Sequence, residues 1–369
     1  MRFVESSKLL ESLSDFPDAS LVYRAPIGST NSWFVDSTDD FAEFSVLVSD
    51  EQTGGRGRLG RSWQAPAGKS LAISVLLKPL AHGIPSARIS WLPLIAGQAA
   101  CAALNAVMAS FAPSDLPPGQ SHGQSLGQSP AATDASEHPV FGLKWPNDVL
   151  AATSVDDSLN SGKAVADVNV DANSSENGQN SGNLPELSKN QDALSAPNPA
   201  PNPTPNPVRK IAGVLSELRA DGSVVVGVGM NLLLGEEELP VPTATSLNLE
   251  LSRLLGGTST GSSLQDALPT AEELFDLVAA EFLSRLQHLY RRFIANEGDA
   301  TAAGLRAEIA ASCLTIGQQV RIELPGGEVL SGRAQGLGEQ GELIFLAAGA
   351  IAPQSIFAGD ITHIRSQSV

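Results

Sequence analysis

Aromatic residues are scarce in this chain, 5% of 369 residues, and cysteine occurs only twice. Cys101 and Cys313 stand apart with no CxxC spacing and no histidine beside them. That excludes a disulfide framework, a zinc site and a thioredoxin-type motif. No run reaches the roughly 18 apolar residues of a membrane span, and the N-terminus lacks the basic start and apolar block of a secretory signal. A cytoplasmic protein with no membrane attachment is expected. Basic charge is also short: the net charge of −17 argues against non-specific binding to DNA or other nucleic acid.

The scarcity is concentrated. Residues 151–207 contain no Phe, Trp or Tyr, are rich in Asn, Ser, Asp and Ala, and end in the Pro-Asn alternation PNPAPNPTPNP. Residues 112–139 have a similar composition. Neither stretch has enough apolar surface to offset the entropy of ordering it, so both read as disordered insertions, and together they carry −8 of the charge. A third, shorter loop, GGTSTGSS, spans 256–263.

What is left is dense in structure signals. Residues 45–53 and 70–79 read as strands, and the Ala-rich stretch 85–111 as a helix despite Pro93. FGLKWPNDVLA, RKIAGVLSELRADG and SVVVGVGMNLLL read as three successive strands, the last two joined by a hairpin at Asp221-Gly222. If residues 150 and 208 lie on adjacent antiparallel strands, the long insertion is an overgrown hairpin loop. Lengthening a loop about tenfold costs only roughly 2 kcal/mol. Thr270 and Glu273 form a capping box before a long amphipathic helix, and from Leu314 onward short alternating strands suggest a small separate β-barrel.

The most unusual segment is GGRGRLGRSW, residues 54–63. Gly55, Gly57 and Gly60 match the dinucleotide fingerprint literally, but the glycines lead into a strand rather than a helix. No Asp or Glu follows anywhere in 52–114, so the acid that this fingerprint needs is missing. Gly68-Lys69-Ser70 likewise fails as a P-loop, because the required first glycine is Trp63. The arginines carry more meaning. Arg56, Arg58 and Arg61 alternate with glycines that let backbone approach a ligand, and guanidinium forks bind phosphate or carboxylate. Either an anion-binding loop or a solvated basic turn fits this segment taken alone.

Further motifs follow in order: Ser29-Thr30-Asn31, Glu51-Gln52-Thr53 running into GGRGRLGR, Lys144-Trp145-Pro146-Asn147-Asp148, KIAGVL from Lys210, and Gly227-Val228-Gly229-Met230-Asn231. Together they resemble the biotin–protein ligases, and the resemblance runs from about residue 25 to the end. It implies an α+β fold with a mixed β-sheet flanked by helices, of the class II synthetase-like type. A catalytic domain over 1–310 would carry the insertions, and an SH3-like β-barrel would fill 311–369.

The implied activity is condensation of biotin with ATP, aided by Mg2+, to biotinyl-5′-adenylate, then transfer of biotin to a lysine of a biotin carboxyl carrier domain of biotin-dependent carboxylases. Lys210, Arg56 and Arg58 would be the catalytic cations. Ser29, Thr30, Asn31 and Gln52 would hold biotin, with Arg56, Gly57 and Arg58 closing over it and Gly213 and Leu215 lining its slot. Arg56, Arg58, Trp63, Lys144 and Asn231 would serve ATP, Trp63 by shielding adenine. Asp148 is a candidate metal ligand. For Lys144 and Asp148, metal coordination or orientation of the incoming lysine fits, and a structural strand–turn role for Trp145-Pro146-Asn147 fits equally. Gly227, Gly229 and Met230 fit simple close packing. About 25 residues precede these motifs, too few for a helix-turn-helix, so a ligase without repressor activity is expected. A lipoate- or octanoate-transferring relative and a non-catalytic sensor of biotin or its adenylate remain as competing readings, and the oligomeric state is open.

Overall fold

Alternating β-branched runs build the main sheet of the chain, whose computed structural model describes residues 9, 11, 13–111, 139–153, 208–256 and 269–363. In order come β1 (Leu21–Tyr23), α1 (Thr30–Val35), β2 (Val46–Ser49), β3 (Gln52–Arg56), β4 (Ser62–Ala65), β5 (Ser70–Leu77) and α2 (Leu92–Ser110). They are followed by β6 (Pro139–Lys144), β7 (Asp148–Thr153), β8 (Arg209–Leu218), β9 (Val224–Asn231), α3 (Leu247–Gly256), α4 (Ala271–Ala295) and α5 (Leu305–Ser312). Five short strands close the described chain: β10 (Gln319–Glu323), β11 (Val329–Leu337), β12 (Leu343–Ala347), β13 (Gln354–Ile356) and β14 (Asp360–His363).

Seven strands form a mixed sheet in the order β1-β2-β5-β9-β8-β7-β6, parallel only at β1–β2. The period of two decides what each face does. Leu71, Ile73, Val75 and Leu77 of β5 and Val224, Val226, Val228 and Met230 of β9 join the large buried cluster, which also holds Ile95 of α2 and Phe275, Phe282 and Phe293 of α4. The other face packs Leu47, Leu76 and Val225 against Phe34 of α1 at one end. Toward its middle the same face shrinks to Ser74, Ala72, Gly227, Gly229 and Gly213, which leaves room above the strands.

By length and composition the stretch Ser86–Ser110 meets the measure of a membrane-crossing helix. Here α2 is a core helix, buried between the sheet and α4. Thr270 caps α4 as expected: its side chain accepts from Glu273 N at 3.3 Å, and Glu273 accepts from Thr270 N at 3.0 Å.

The structure divides several segments that read as single elements. Residues 45–53 split into β2 and β3 because Ser49 turns the chain locally, donating to Glu51 O at 2.8 Å and accepting from Glu51 N at 3.2 Å. FGLKWPNDVLA is a hairpin, β6 and β7, turning at Pro146-Asn147. The helix expected over 85–111 begins as a 3₁₀ turn, Ser86–Trp91, and becomes α-helical at Leu92, with Pro93 in the first turn where its missing N–H leaves no bond unmade.

Strands β7 and β8 are antiparallel neighbours, as the hairpin reading of the long insertion requires. Strand β6 begins at Pro139 and β7 continues to Thr153, so 139 and 151–153 are strand; the rest of both insertions lies outside the described residues. The 256–263 loop also falls there, apart from Gly256, where α3 ends.

The C-terminal strands form an antiparallel five-stranded sheet, β13-β12-β11-β10-β14. It is not a separate core: Val320, Ile322, Leu337 and Phe345 belong to the same buried cluster as α2 and the main sheet. Trp145 Nε1 of the β6–β7 turn donates to Gly341 O at 2.9 Å and Trp91 Nε1, just before α2, to Glu339 O at 2.8 Å, fastening the β11–β12 loop to the rest of the chain.

Candidate active site

The small-residue floor of the sheet opens into a cleft of about 440 Å³. It is walled by α1, the β3–β4 hairpin, the β6–β7 turn and the edge of the C-terminal sheet. Six basic side chains line it against three acidic ones, in a chain whose net charge is −17.

At one end α1 supplies Ser29, Thr30 and Asn31. Ser29 is the N-cap of the helix, its Oγ accepting from Ser32 N at 3.4 Å, so capping and a place in the cleft coincide. Gln52 Oε1 accepts from Thr30 N at 2.8 Å and from Thr30 Oγ1 at 3.2 Å. Ser74 on the floor is 2.7 Å from Thr30 Oγ1 and 2.6 Å from Asn31 Oδ1. These bonds fix polar groups in a largely buried wall before any ligand arrives.

The glycine-rich segment is the turn of the β3–β4 hairpin. Gly55 has no room for a side chain, since a Cβ there would lie 2.5 Å from Trp63 O, and Gly60 takes a φ of +74°. Leu59 is held at a φ of +56° and is exposed. Arg58 Nη1 donates to Asn147 Oδ1 at 3.0 Å, and burial lowers the pKa of its guanidinium. Arg61 pairs with Asp360 of β14, which ties the hairpin to the C-terminal sheet.

Lys210 reaches the cleft through a backbone irregularity. Val149 pairs with Ala212 but Leu150 with Lys210, which leaves Ile211 as an extra residue on β8. This β-bulge lets Ile211 and Ala212 both enter the core, so Lys210 falls on the same face as Gly213. Lys210 Nζ lies 2.6 Å from Asp148 Oδ1, and Lys144 Nζ lies 3.7 Å from Asp148 Oδ2. Burial, with Lys210 nearby, lowers the pKa of Lys144 below the usual lysine range, and Asp148 opposes the shift.

Trp63 lies over the floor. A Cβ on Gly229 would come within 2.5 Å of its indole and one on Gly213 within 3.3 Å, while Lys210 Nζ stands 5.6 Å from the ring. Gly227 makes room in the same way for Asn31. These glycines are therefore close-packing positions that shape the cleft. The alternation VVVGVGMN, small at every second residue, carries that signal in the sequence.

The cleft thus brings together Ser29, Thr30, Asn31, Gln52, Arg56, Gly57, Arg58, Trp63, Lys144, Asp148, Lys210, Gly213 and Leu215. Asn231 stands apart from this lining. It ends β9 opposite Ser70, is 3% exposed and donates to Thr245 O at 3.1 Å, so it supports the loop before α3 and does not line the cleft. Sequence reading also missed Glu217, Arg321, Glu323 and Asp360, because pairing between distant elements leaves no local pattern.

A mixed sheet with an arginine–glycine hairpin over a cationic, polar-walled cleft suits the binding of anions, and comparison with known proteins says of which kind. Residues 27–179 match the biotin/lipoate A/B protein ligase family and 315–363 match the biotin protein ligase C-terminal domain. The chain is 30% identical over 345 residues to a biotin–[acetyl-CoA-carboxylase] ligase of Mycobacterium tuberculosis, covering 92% of this chain and 88% of the relative. A bifunctional ligase/repressor BirA of Bacillus spizizenii is 28% identical over 131 residues, 35% of this chain and 30% of its own length. The fold is similar to that of the Aquifex aeolicus biotin protein ligase solved with biotin and ATP, with a TM-score of 0.53 and 21% identity over 94% of this chain and 99% of the other. The chain belongs to the biotin protein ligase family.

Proposed function

We propose that the cleft forms biotinyl-5′-adenylate from biotin and ATP, and that the chain then transfers biotin to a lysine of a biotin carboxyl carrier domain. The observation that carries this reading is the placement of Lys210, Arg56 and Arg58 around one polar-walled cleft. A carboxylate oxygen of biotin attacks the α-phosphorus of ATP, the bond to the β-phosphate breaks, and pyrophosphate leaves. Two anions must meet, so the site needs positive charge fixed in advance at the developing transition state. Lys210 and the two arginines supply it, with Lys210 oriented by Asp148. In the second step the acceptor amine attacks the activated carbonyl, loses a proton, and AMP departs with the bonding electrons. Neither step requires a covalent bond to the enzyme.

Ser29, Thr30 and Gln52 are assigned to the head group of biotin, and Gly213 and Leu215 to its slot. Trp63 is assigned to adenine, against which an aromatic face can stack, and Lys144 to the phosphates.

Among the described residues no group of three or more His, Cys, Asp or Glu side chains could hold a metal. Asp148 already meets Lys210 Nζ at 2.6 Å and Lys144 Nζ at 3.7 Å, so this carboxylate is matched by cations and does not fit a protein-held Mg2+; the ion would be carried by the ATP phosphates. When bound, the ion neutralises phosphate charge.

Purified protein given ATP, biotin and a carrier domain is expected to label the carrier with biotin. Labelling by lipoate and not by biotin would contradict the assignment.

A further inference from the structure

Glu217 lies outside every motif, yet it joins the two halves of the site. Its Oε2 accepts from Asn31 Nδ2 at 2.9 Å, and Arg56 Nη2 donates to Oε1 at 2.8 Å and Oε2 at 3.1 Å. Asn31 also donates to Leu215 O at 3.1 Å. One carboxylate therefore connects α1, the wall carrying Ser29 and Thr30, to the first arginine of the hairpin turn.

Two features set its part apart from that of a chance surface pair. Glu217 accepts from two side chains that are both donors there, which a carboxylate can do and an amide, with one acceptor atom and one donor group, cannot do equally. It also stands outside the lining of the cleft, on the outer side of the hairpin turn with Leu59 and Gly60, whereas Arg56 lines the cleft itself. Its charge thus sits behind the guanidinium. Only Nη2 of Arg56 is engaged by it, and among the described residues Nε and Nη1 make no other hydrogen bond, so two donor positions remain for an anion in the cleft.

We propose that Glu217 is a positioning residue that holds Arg56 in register with the biotin-binding wall, so that the guanidinium meets the substrate anion already oriented. The proposal rests on the assignment of Arg56 to that anion. An arginine flanked by Gly55 and Gly57 has many conformations to lose on binding, and a partner that restricts them beforehand lowers that cost. Arg56 is 45% exposed at its side chain, so the expected effect is modest.

The test uses the full chain and Glu217→Gln, with unchanged circular dichroism and thermal midpoint as the control for folding. Biotin-dependent pyrophosphate release is expected to show a KM for biotin about three- to fivefold higher, the scale of an exposed ion pair, with kcat changed less. In an Arg56→Ala background the same substitution should add almost nothing, because Glu217 acts through that arginine. Without ligands, trypsin should cut after Arg56, Arg58 and Arg61 faster in Glu217→Gln than in the native chain. A KM that is unchanged or lower, losses that multiply in the double variant, or an unchanged cleavage rate would overturn the proposal. A native chain that releases no pyrophosphate would instead overturn the assigned function, and the cleavage rate would then decide whether Glu217 orders the turn.

Discussion

Lys210 shows how far a single residue is legible. The motif that begins with it marks it as functional, yet strict alternation from Gly213 and Leu215 would turn its side chain into the core. The extra residue Ile211 reverses that parity, and no local propensity announces a bulge. The reverse holds for Asn231, whose motif is intact but whose side chain bonds to Thr245 O, a loop contact that sequence does not reveal. Asp148 stands between Lys210 and Lys144 in a row of alternating charge, so removing the Lys210 ammonium leaves Asp148 facing Lys144 alone. Lys210→Ala is expected to lower the rate of adenylate formation on the order of a hundredfold, the usual scale for loss of a preorganised charge-stabilising group. Single-turnover adenylate formation measures this, and a near-native rate would remove the role assigned to Lys210.

At the scale of elements, strands and helices were readable where one period runs through the segment, as in β5, β9 and α4. Boundaries failed where a short polar turn interrupted an apolar run, at Ser49 and at Pro146-Asn147. The β6–β7 turn matters beyond topology. Asn147 Nδ2 donates to Val214 O at 2.9 Å while its Oδ1 accepts from Arg58, so a structural turn and a place at the site are the same feature. Insertion 154–207 leaves from β7 and returns at β8, strands that pair with each other whatever lies between. Replacing residues 154–206 by a short Gly-Ser link is therefore expected to preserve adenylate formation and fold stability, since shortening a loop closes it at lower entropic cost. Loss of adenylation in a folded product would give the insertion a catalytic part.

For the whole molecule, the relation between the C-terminal sheet and the ligase sheet was the least legible feature. The alternating strands from Leu314 onward foretell a small β unit, but not its shared core or the Arg61–Asp360 pair. His363 on β14 reports on this junction. Its Nε2 lies 3.3 Å from Thr315 Oγ1, and burial, aided by Lys144, pushes its pKa down to about 4. An unfolded histidine takes up a proton near pH 6.5, so between pH 6.5 and 4 the unfolded chain binds more protons and stability falls as the pH drops. The contribution reaches about 3 kcal/mol and is complete below pH 4. Urea unfolding at stepped pH should show this loss in the native chain and not in His363→Gln; parallel curves would assign the acid sensitivity elsewhere.

The scarcity of basic charge is likewise a property of the whole chain and not of its cleft, where cations outnumber acids. That local excess suits two anions brought together, and reaction between them is what separates an enzyme from a sensor. Biotin-dependent release of pyrophosphate from ATP by the purified chain, before any carrier is added, is therefore the most direct measurement. One pyrophosphate per active site, formed in a burst that requires biotin, is the expected result. Tight binding of biotin and ATP with no pyrophosphate would contradict the account and leave a sensor in place of an enzyme.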